Sequence, residues 1–419
     1  MNKPALTRSG HFPTLVVALL YFDVSFMVWV LLGPLAPFLG EQMHLSATQK
    51  GLLTAIPLLG GSLFRPVLGA VGDRLGGRNT GLLGLGLTLV PLLLGWRFAH
   101  TPGQFYFLGF LLGIAGASFA VALPLAGRWY PPELQGLVMG IAGAGNSGTL
   151  VATLFAPRLA QKFGYANAFA LATLPVLLVL LLFALLAKDS PRKGAIPGWK
   201  NFASVLQEAD SVWFCFFYCI TFGGFVGFAS FLTVFFHDQY GLAKVRAGDF
   251  TTLVVVAGSF LRPVGGWLSD KIGGYRLLLL VLCFLSALLF SVGLLPALAI
   301  EVTLLFLTMA MLGMGNGAVF QLVPQRFPDR IGVVTGLVGA AGGLGGFLLT
   351  SLLGAIKDRT SQFSLGLYLC AAAFLLAAAT LLQVGAQWHL NWHPDSVDRA
   401  GIFSYRRLFG TTTVQEMVE

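Results

Sequence analysis

Twelve apolar stretches follow one another along this chain. Each is about 20 residues or longer, enough to cross ~30 Å of hydrocarbon as a helix. The first six are expected at roughly 13–38, 47–72, 79–97, 103–127, 134–160 and 166–187. The second six are expected at about 210–236, 247–270, 275–295, 302–324, 331–356 and 364–386. A backbone in lipid must satisfy its own hydrogen bonds, so these stretches read as helices. The chain is 56% hydrophobic and 10% charged, against about 25% charged residues in soluble domains. The fold class is therefore an all-α polytopic membrane protein with the lipid bilayer as its solvent.

The one sizeable polar stretch, KDSPRKGAIPGWKNFASVLQEAD, carries the breakers Pro191, Gly194, Pro197 and Gly198. It divides the chain into a six-helix bundle over residues 1–187, a linker over 188–209, a second six-helix bundle over 210–386 and a surface tail over 387–419. The formal charge of +9 does not point to nucleic acid, because the basic residues sit in short loops beside the spans. Outside the spans, Lys and Arg favour the side of the termini and linker two to one. That bias predicts cytoplasmic termini in the inner (cytoplasmic) membrane. The opening MNKPALTRSG leads into an apolar run without a small-residue cleavage site, so the first helix is expected to be retained. Cys215, Cys219, Cys283 and Cys370 lie in apolar spans and read as packing residues. The spacing of His389 and His393 is too weak a pattern for a metal site.

The halves repeat. SLFRPVLGAVGDRLGGR at 62–78 matches SFLRPVGGWLSDKIGGYR at 259–276 through Ser62/Ser259, Arg65/Arg262, Pro66/Pro263, Gly69/Gly266, Asp73/Asp270, Gly76/Gly273 and Gly77/Gly274. Gly113/Gly313, Pro124/Pro324 and Gly136/Gly336 form a second matching set. Two bundles of six spans in the same orientation follow. Asp73, Arg74 and Arg78, with Asp270, Lys271 and Arg276, can form charge pairs and helix-end contacts that differ between two states. They are the candidate gating residues.

Arg65 lies about 12 Å deeper in the membrane than Asp73 at 1.5 Å per residue, and Arg262 stands in the same relation to Asp270. A charge at such depth costs ~2.5–3.5 kcal/mol even on insertion scales and marks a site or pathway. The spans offer one buried acid to neutralise the pair, Asp23, since Glu133 lies in a loop and Glu301 at a span edge. Asp23 is also the candidate proton carrier, with pairing to Arg65 or hydrogen bonding within the first span as its alternative roles. Two guanidinium forks suit a planar oxyanion, although a tetrahedral anion or a carboxylate can use the same donors. Phe119, Tyr218 and Phe222 supply aromatic lining, which a weakly hydrated anion tolerates better than phosphate does.

Gly143-Ala-Gly145-Asn146-Ser147-Gly148 fits the dinucleotide-binding expression but lacks its strand and helix start. With Gly342, Gly343, Gly345 and Gly346 on the eleventh span, Gly143 and Gly145 read as helix-packing glycines. The spans hold no nucleophile, acid–base pair or metal cluster, so neither an enzyme nor a cofactor is expected.

The run Gly69-Ala-Val-Gly-Asp73-Arg74-Leu-Gly76-Gly77-Arg78 resembles the marker of the major facilitator superfamily, with Gly77 replacing an arginine. The glycine-rich fifth and eleventh spans resemble the paired signatures of its nitrate/nitrite porter family. That resemblance implies an anion site formed by Arg65, Arg262, Asn146, Tyr218, Phe222 and Phe119 between two rocking bundles. Nitrate and nitrite are the implied partners, moved by exchange or with protons. A carrier of another small organic or inorganic anion, or a sensor that binds without transport, stays open at this point.

Overall fold

The computed structural model describes residues 9–191, 204–327 and 330–402. Twelve long apolar helices account for the spans: α1 Phe12–Gln42, α2 Ala47–Leu75, α3 Gly77–Arg97, α4 Pro102–Gly127, α5 Val138–Phe163, α6 Tyr165–Leu186, α7 Ala209–Tyr240, α8 Lys244–Ile272, α9 Gly274–Gly293, α10 Leu298–Arg326, α11 Val333–Thr360 and α12 Ser364–Asn391. A short helix, α13 Pro394–Ala400, follows. Much of the linker, 192–203, and the end of the tail, 403–419, lie outside the described residues.

Three helices are interrupted where the sequence weakens them. α1 breaks between Trp29 and Leu32, and Pro34 has no N–H to offer the carbonyl of Val30 across that break. α5 passes through a 3₁₀ turn at Ala144–Ser147, where Gly143, Gly145 and Gly148 flank two poor helix formers, Asn146 and Ser147. α4 breaks at Ala117 and Ser118. There Ala120 N–H donates to Ala117 O at 3.0 Å rather than to Gly116 O.

Each half repeats one helix crossing. α2 meets α4 where Gly60 backs onto Gly113, and α8 meets α10 where Gly258 backs onto Gly313; a Cβ at any of these positions would strike the facing backbone. Between the bundles the most extensive contact joins α2 to α11. At the face away from the chain ends, Lys50 pairs with Asp238 at 2.6 Å, Arg158 with Asp249 at 2.7 Å, and Lys244 with Glu41. The Asp358 carboxylate there accepts from Ser46 Oγ, Ala47 N and Thr48 N, each at 2.8 Å, so α11 caps the first turn of α2. At the face carrying the chain ends, Asp73 pairs with Arg128 at 2.8 Å, Arg78 N donates to Asp189 at 2.9 Å, Arg326 pairs with Asp210, and Arg330 with Glu208 at 2.7 Å. None of these contacts joins one bundle to the other.

The tail differs from its expected character. α12 continues to Asn391, and Val397, Ala400 and Ile402 beyond it are buried. Gly401 packs against Ile272 O and Gly273, while Gln321 bridges the loop and the tail by accepting from Gly274 N and donating to Arg399 O. Gly273, at φ +91°, lets the α8–α9 turn lie directly on the backbone of Ala400 and Gly401, a contact that hydropathy alone does not register.

Candidate anion site between the bundles

Pro57, Gly61 and Arg65 lie four residues apart and so form one stripe along α2. Arg65 is 2% exposed. Its Nε donates to Gly116 O at 3.0 Å, using the carbonyl at the α4 break, and its Nη1 donates to Gly339 O of α11 in the other bundle. Its Nη2 is buried without a partner. Three rings surround the guanidinium carbon, Trp29 at 5.1 Å, Phe119 at 5.5 Å and Phe222 at 5.4 Å. Ring faces attract a cation without carrying a formal charge, so Arg65 keeps its positive charge.

Arg262 is half-buried in α8. Its Nη2 donates to the Tyr218 hydroxyl at 3.4 Å, its Nη1 is buried without a partner, and Phe320 lies 5.6 Å from its guanidinium carbon. Tyr218 stacks on Phe222 with centroids 5.0 Å apart and planes 5° from parallel. Arg65, Phe222, Tyr218 and Arg262 thus form one continuous column across the bundle boundary. Asn146, 1% exposed at the α5 turn, has no hydrogen-bond partner for either amide atom.

Neither arginine is paired with a carboxylate among the described residues. Asp23 does not reach Arg65; its carboxylate accepts from Ser147 Oγ of α5 at 2.6 Å. Glu301 lies in the first turn of α10, at the span edge as expected, and is 0% exposed there. It lies 19 residues before Phe320 on α10, about 28 Å along the helix, too far to neutralise the column. Buried guanidinium donors without partners are costly, and an oxyanion offers both the acceptors and the charge that they lack.

The glycine signatures divide. Gly145 and Gly148 let the α5 turn lie against the α1 backbone at Asp23, Gly342 and Gly345 lie on α7 at Tyr218 and Cys219, and Gly343 and Gly346 reach α2 at Ser62 and Leu58. Gly143, by contrast, has nothing within 4 Å of a built Cβ. Only part of the signature therefore sits on the interface between bundles. Among the expected gating residues, Asp73 binds Arg128, Arg78 donates from its side chain to Ala184 O at 2.8 Å, and Lys271 lies over Trp267 at 3.8 Å. Arg74 and Asp270 are exposed. Sequence reading missed Trp29 and Phe320, because an aromatic residue inside an apolar run gives no periodic or charge signal.

Two repeated six-helix bundles around a buried cationic site define a membrane transporter of the two-bundle carrier class. The Major Facilitator Superfamily profile matches residues 17–350. The chain is 35% identical to the "Probable nitrate/nitrite transporter NarK2" of Mycobacterium tuberculosis, over 88% of this chain and 95% of that one. It is 34% identical to the "Nitrite extrusion protein" of Bacillus subtilis, over 88% and 94%. It is 31% identical to the "Probable nitrate/nitrite antiporter NarK1" of Thermus thermophilus, over 90% and 91%. The structure of the xylose transporter XylE from E. coli, in a partially occluded inward-open conformation, superposes with a TM-score of 0.72 at 15% identity, covering 90% of this chain and 99% of that one. This protein belongs to the nitrate/nitrite porter family of the major facilitator superfamily.

Proposed function

We propose that this protein carries nitrate and nitrite across the cytoplasmic membrane by alternating access, with Arg65 and Arg262 gripping the anion. The observation that carries the reading is a buried and a half-buried guanidinium, each with an unpartnered buried donor, joined by an aromatic column and left without a neutralising acid among the described residues. The names of the relatives agree with it. A planar anion between two forks accepts several donors at once, and aromatic walls disfavour anions that must keep a full water shell. Tyr218, Phe222, Phe119 and Asn146 complete the site in this reading. It assigns the protein no catalytic step.

With the termini in the cytoplasm, the ion pairs across Lys50, Lys244 and Arg158 and the Asp358 cap form the outer gate. Asp73, Arg74, Arg78, Asp270 and Lys271 belong to the inner gate. An anion that neutralises part of the buried charge favours the state in which both arginines close around it, so binding shifts the equilibrium between states. Exchange of one anion for the other is the coupling that the relatives' names favour. A proton-coupled mode runs through Asp23, held by Ser147 beside the broken turn of α5.

The test is counterflow of labelled nitrate in proteoliposomes, with nitrite, phosphate or an organic anion inside and a pH gradient on or off. Saturable uptake driven by internal nitrite and lost in Arg65→Lys and Arg262→Lys is expected. Normal transport by both variants removes the two-arginine site. Uptake that follows only the pH gradient, and vanishes in Asp23→Asn, selects proton coupling over exchange. Binding without movement makes the protein a sensor.

A further inference from the structure

We propose that Trp29 is a positioning residue for the anion site, holding the Arg65 guanidinium in its binding orientation without neutralising it. The inference rests on the reading of Arg65 as an anion ligand. Trp29 is 0% exposed and sits at the α1 break. Its Nε1–H donates to Pro57 O at 2.7 Å, so the indole's only polar group is engaged at the far end of the Pro57, Gly61, Arg65 stripe. The ring then lies over Gly61, where a Cβ would stand 2.7 Å from the indole, and over Gly116, where it would overlap the ring outright. Both neighbours lack a side chain where the indole lies. The Gly116 carbonyl on that same surface accepts from Arg65 Nε at 3.0 Å, and the ring centre lies 5.1 Å from the guanidinium carbon. One side chain therefore fixes both the carbonyl that orients Arg65 and a face that shields it from water.

The second repeat lacks this device. Gly258, the repeat mate of Gly61, faces Phe225 at 2.6 Å from a built Cβ. Phenylalanine has no N–H to anchor, and the ring near Arg262 is Phe320 of α10. Arg65 is held by an anchored indole and two carbonyls, whereas Arg262 has one phenol contact and is half-buried. Arg65 is thus held by more groups than Arg262 is.

The experiment measures KM and kcat for labelled nitrate counterflow in the wild type, Trp29→Phe, Trp29→Leu and, as a stability control, Phe169→Ala, with the thermal stability of each in detergent. Phe169 is a buried ring of α6 packed on Phe105 and Gly95, away from the site. Trp29→Leu stays apolar but loses the ring face and the anchor, and is expected to raise KM about tenfold with kcat within about threefold. Trp29→Phe restores a ring face without the Nε1–H anchor and should recover only part of that rise, while Phe169→Ala should lower thermal stability with KM unchanged. An unchanged KM in Trp29→Leu, equal KM values in the Leu and Phe variants, or the same rise in Phe169→Ala overturns the proposal while leaving the anion site standing. Absence of nitrate counterflow in the wild type overturns both.

Discussion

Tyr218 and Phe222 stack face to face, 5.0 Å apart and 5° from parallel, and a guanidinium lies beyond each ring. The two residues are one helical turn apart on α7, so a single rigid helix from the second bundle spaces an arginine of the first bundle from one of its own. The stack thus lies between the two positive charges.

Tyr218→Phe removes the hydroxyl that accepts from Arg262 at 3.4 Å and leaves the stack in place. A hydrogen bond to a charged donor is worth about 1.5–3 kcal/mol when aligned, and this one is long. The expected result is a KM for nitrate raised about tenfold with little loss of folded protein. Phe222→Ala, which opens the column, should abolish saturable uptake. Counterflow kinetics on both variants check this, and a Tyr218→Phe carrier with the wild-type KM would show that the phenol plays no part.

Asp358 caps α2 from the opposite bundle through three bonds at the face away from the chain ends. Loss of an N-cap typically costs ~1–2 kcal/mol. Asp358→Ala should therefore shift the carrier about tenfold toward the state open at that face. Distances between spin labels placed on the outer ends of α2 and α11 read the shift directly. A distribution identical to the wild type's would remove the cap from the gate.

The glycines of the signatures should not behave alike. Gly345→Ala places a Cβ into Cys219 O on α7 and should cost ~1–3 kcal/mol by overpacking, seen as a clear loss of thermal stability. Gly143→Ala meets nothing within 4 Å and should leave stability unchanged or slightly higher. Equal destabilisation by the two would contradict the packing described for α5 and α11.

At Gly401 the backbone has φ +71°, a region that favours glycine, and the residue lies on Ile272 O and Gly273. Gly401→Val strains that turn and pushes the tail off the α8–α9 loop, with an expected loss of ~1–3 kcal/mol. Limited proteolysis should then cut between α12 and residue 402 far faster than in the wild type. Unchanged protection would show that the tail's docking does not depend on this turn.

The local order of residues settles much of this protein. Twelve runs of apolar side chains fix twelve helices, because lipid accepts no other backbone arrangement and run length needs no knowledge of neighbours. Matching Arg65 with Arg262 and Asp73 with Asp270 reveals the duplicated bundle, and the rarity of a charge at that depth singles out the two arginines. Which groups meet them is decided elsewhere. Trp29 and Phe320 are ordinary members of apolar runs until the helix crossings at Gly60/Gly113 and Gly258/Gly313 bring them beside a guanidinium. By sequence Asp23 could pair with Arg65 or bond within its own span, and only the approach of α5 through Gly145 and Gly148 delivers it to Ser147 instead. The burial of Glu301 and the docking of the tail have the same origin, since both depend on what packs over a helix end. Hydropathy and repeat are properties of the chain taken singly, whereas contact across bundles is a property of close-packed shapes that no stretch of sequence contains alone.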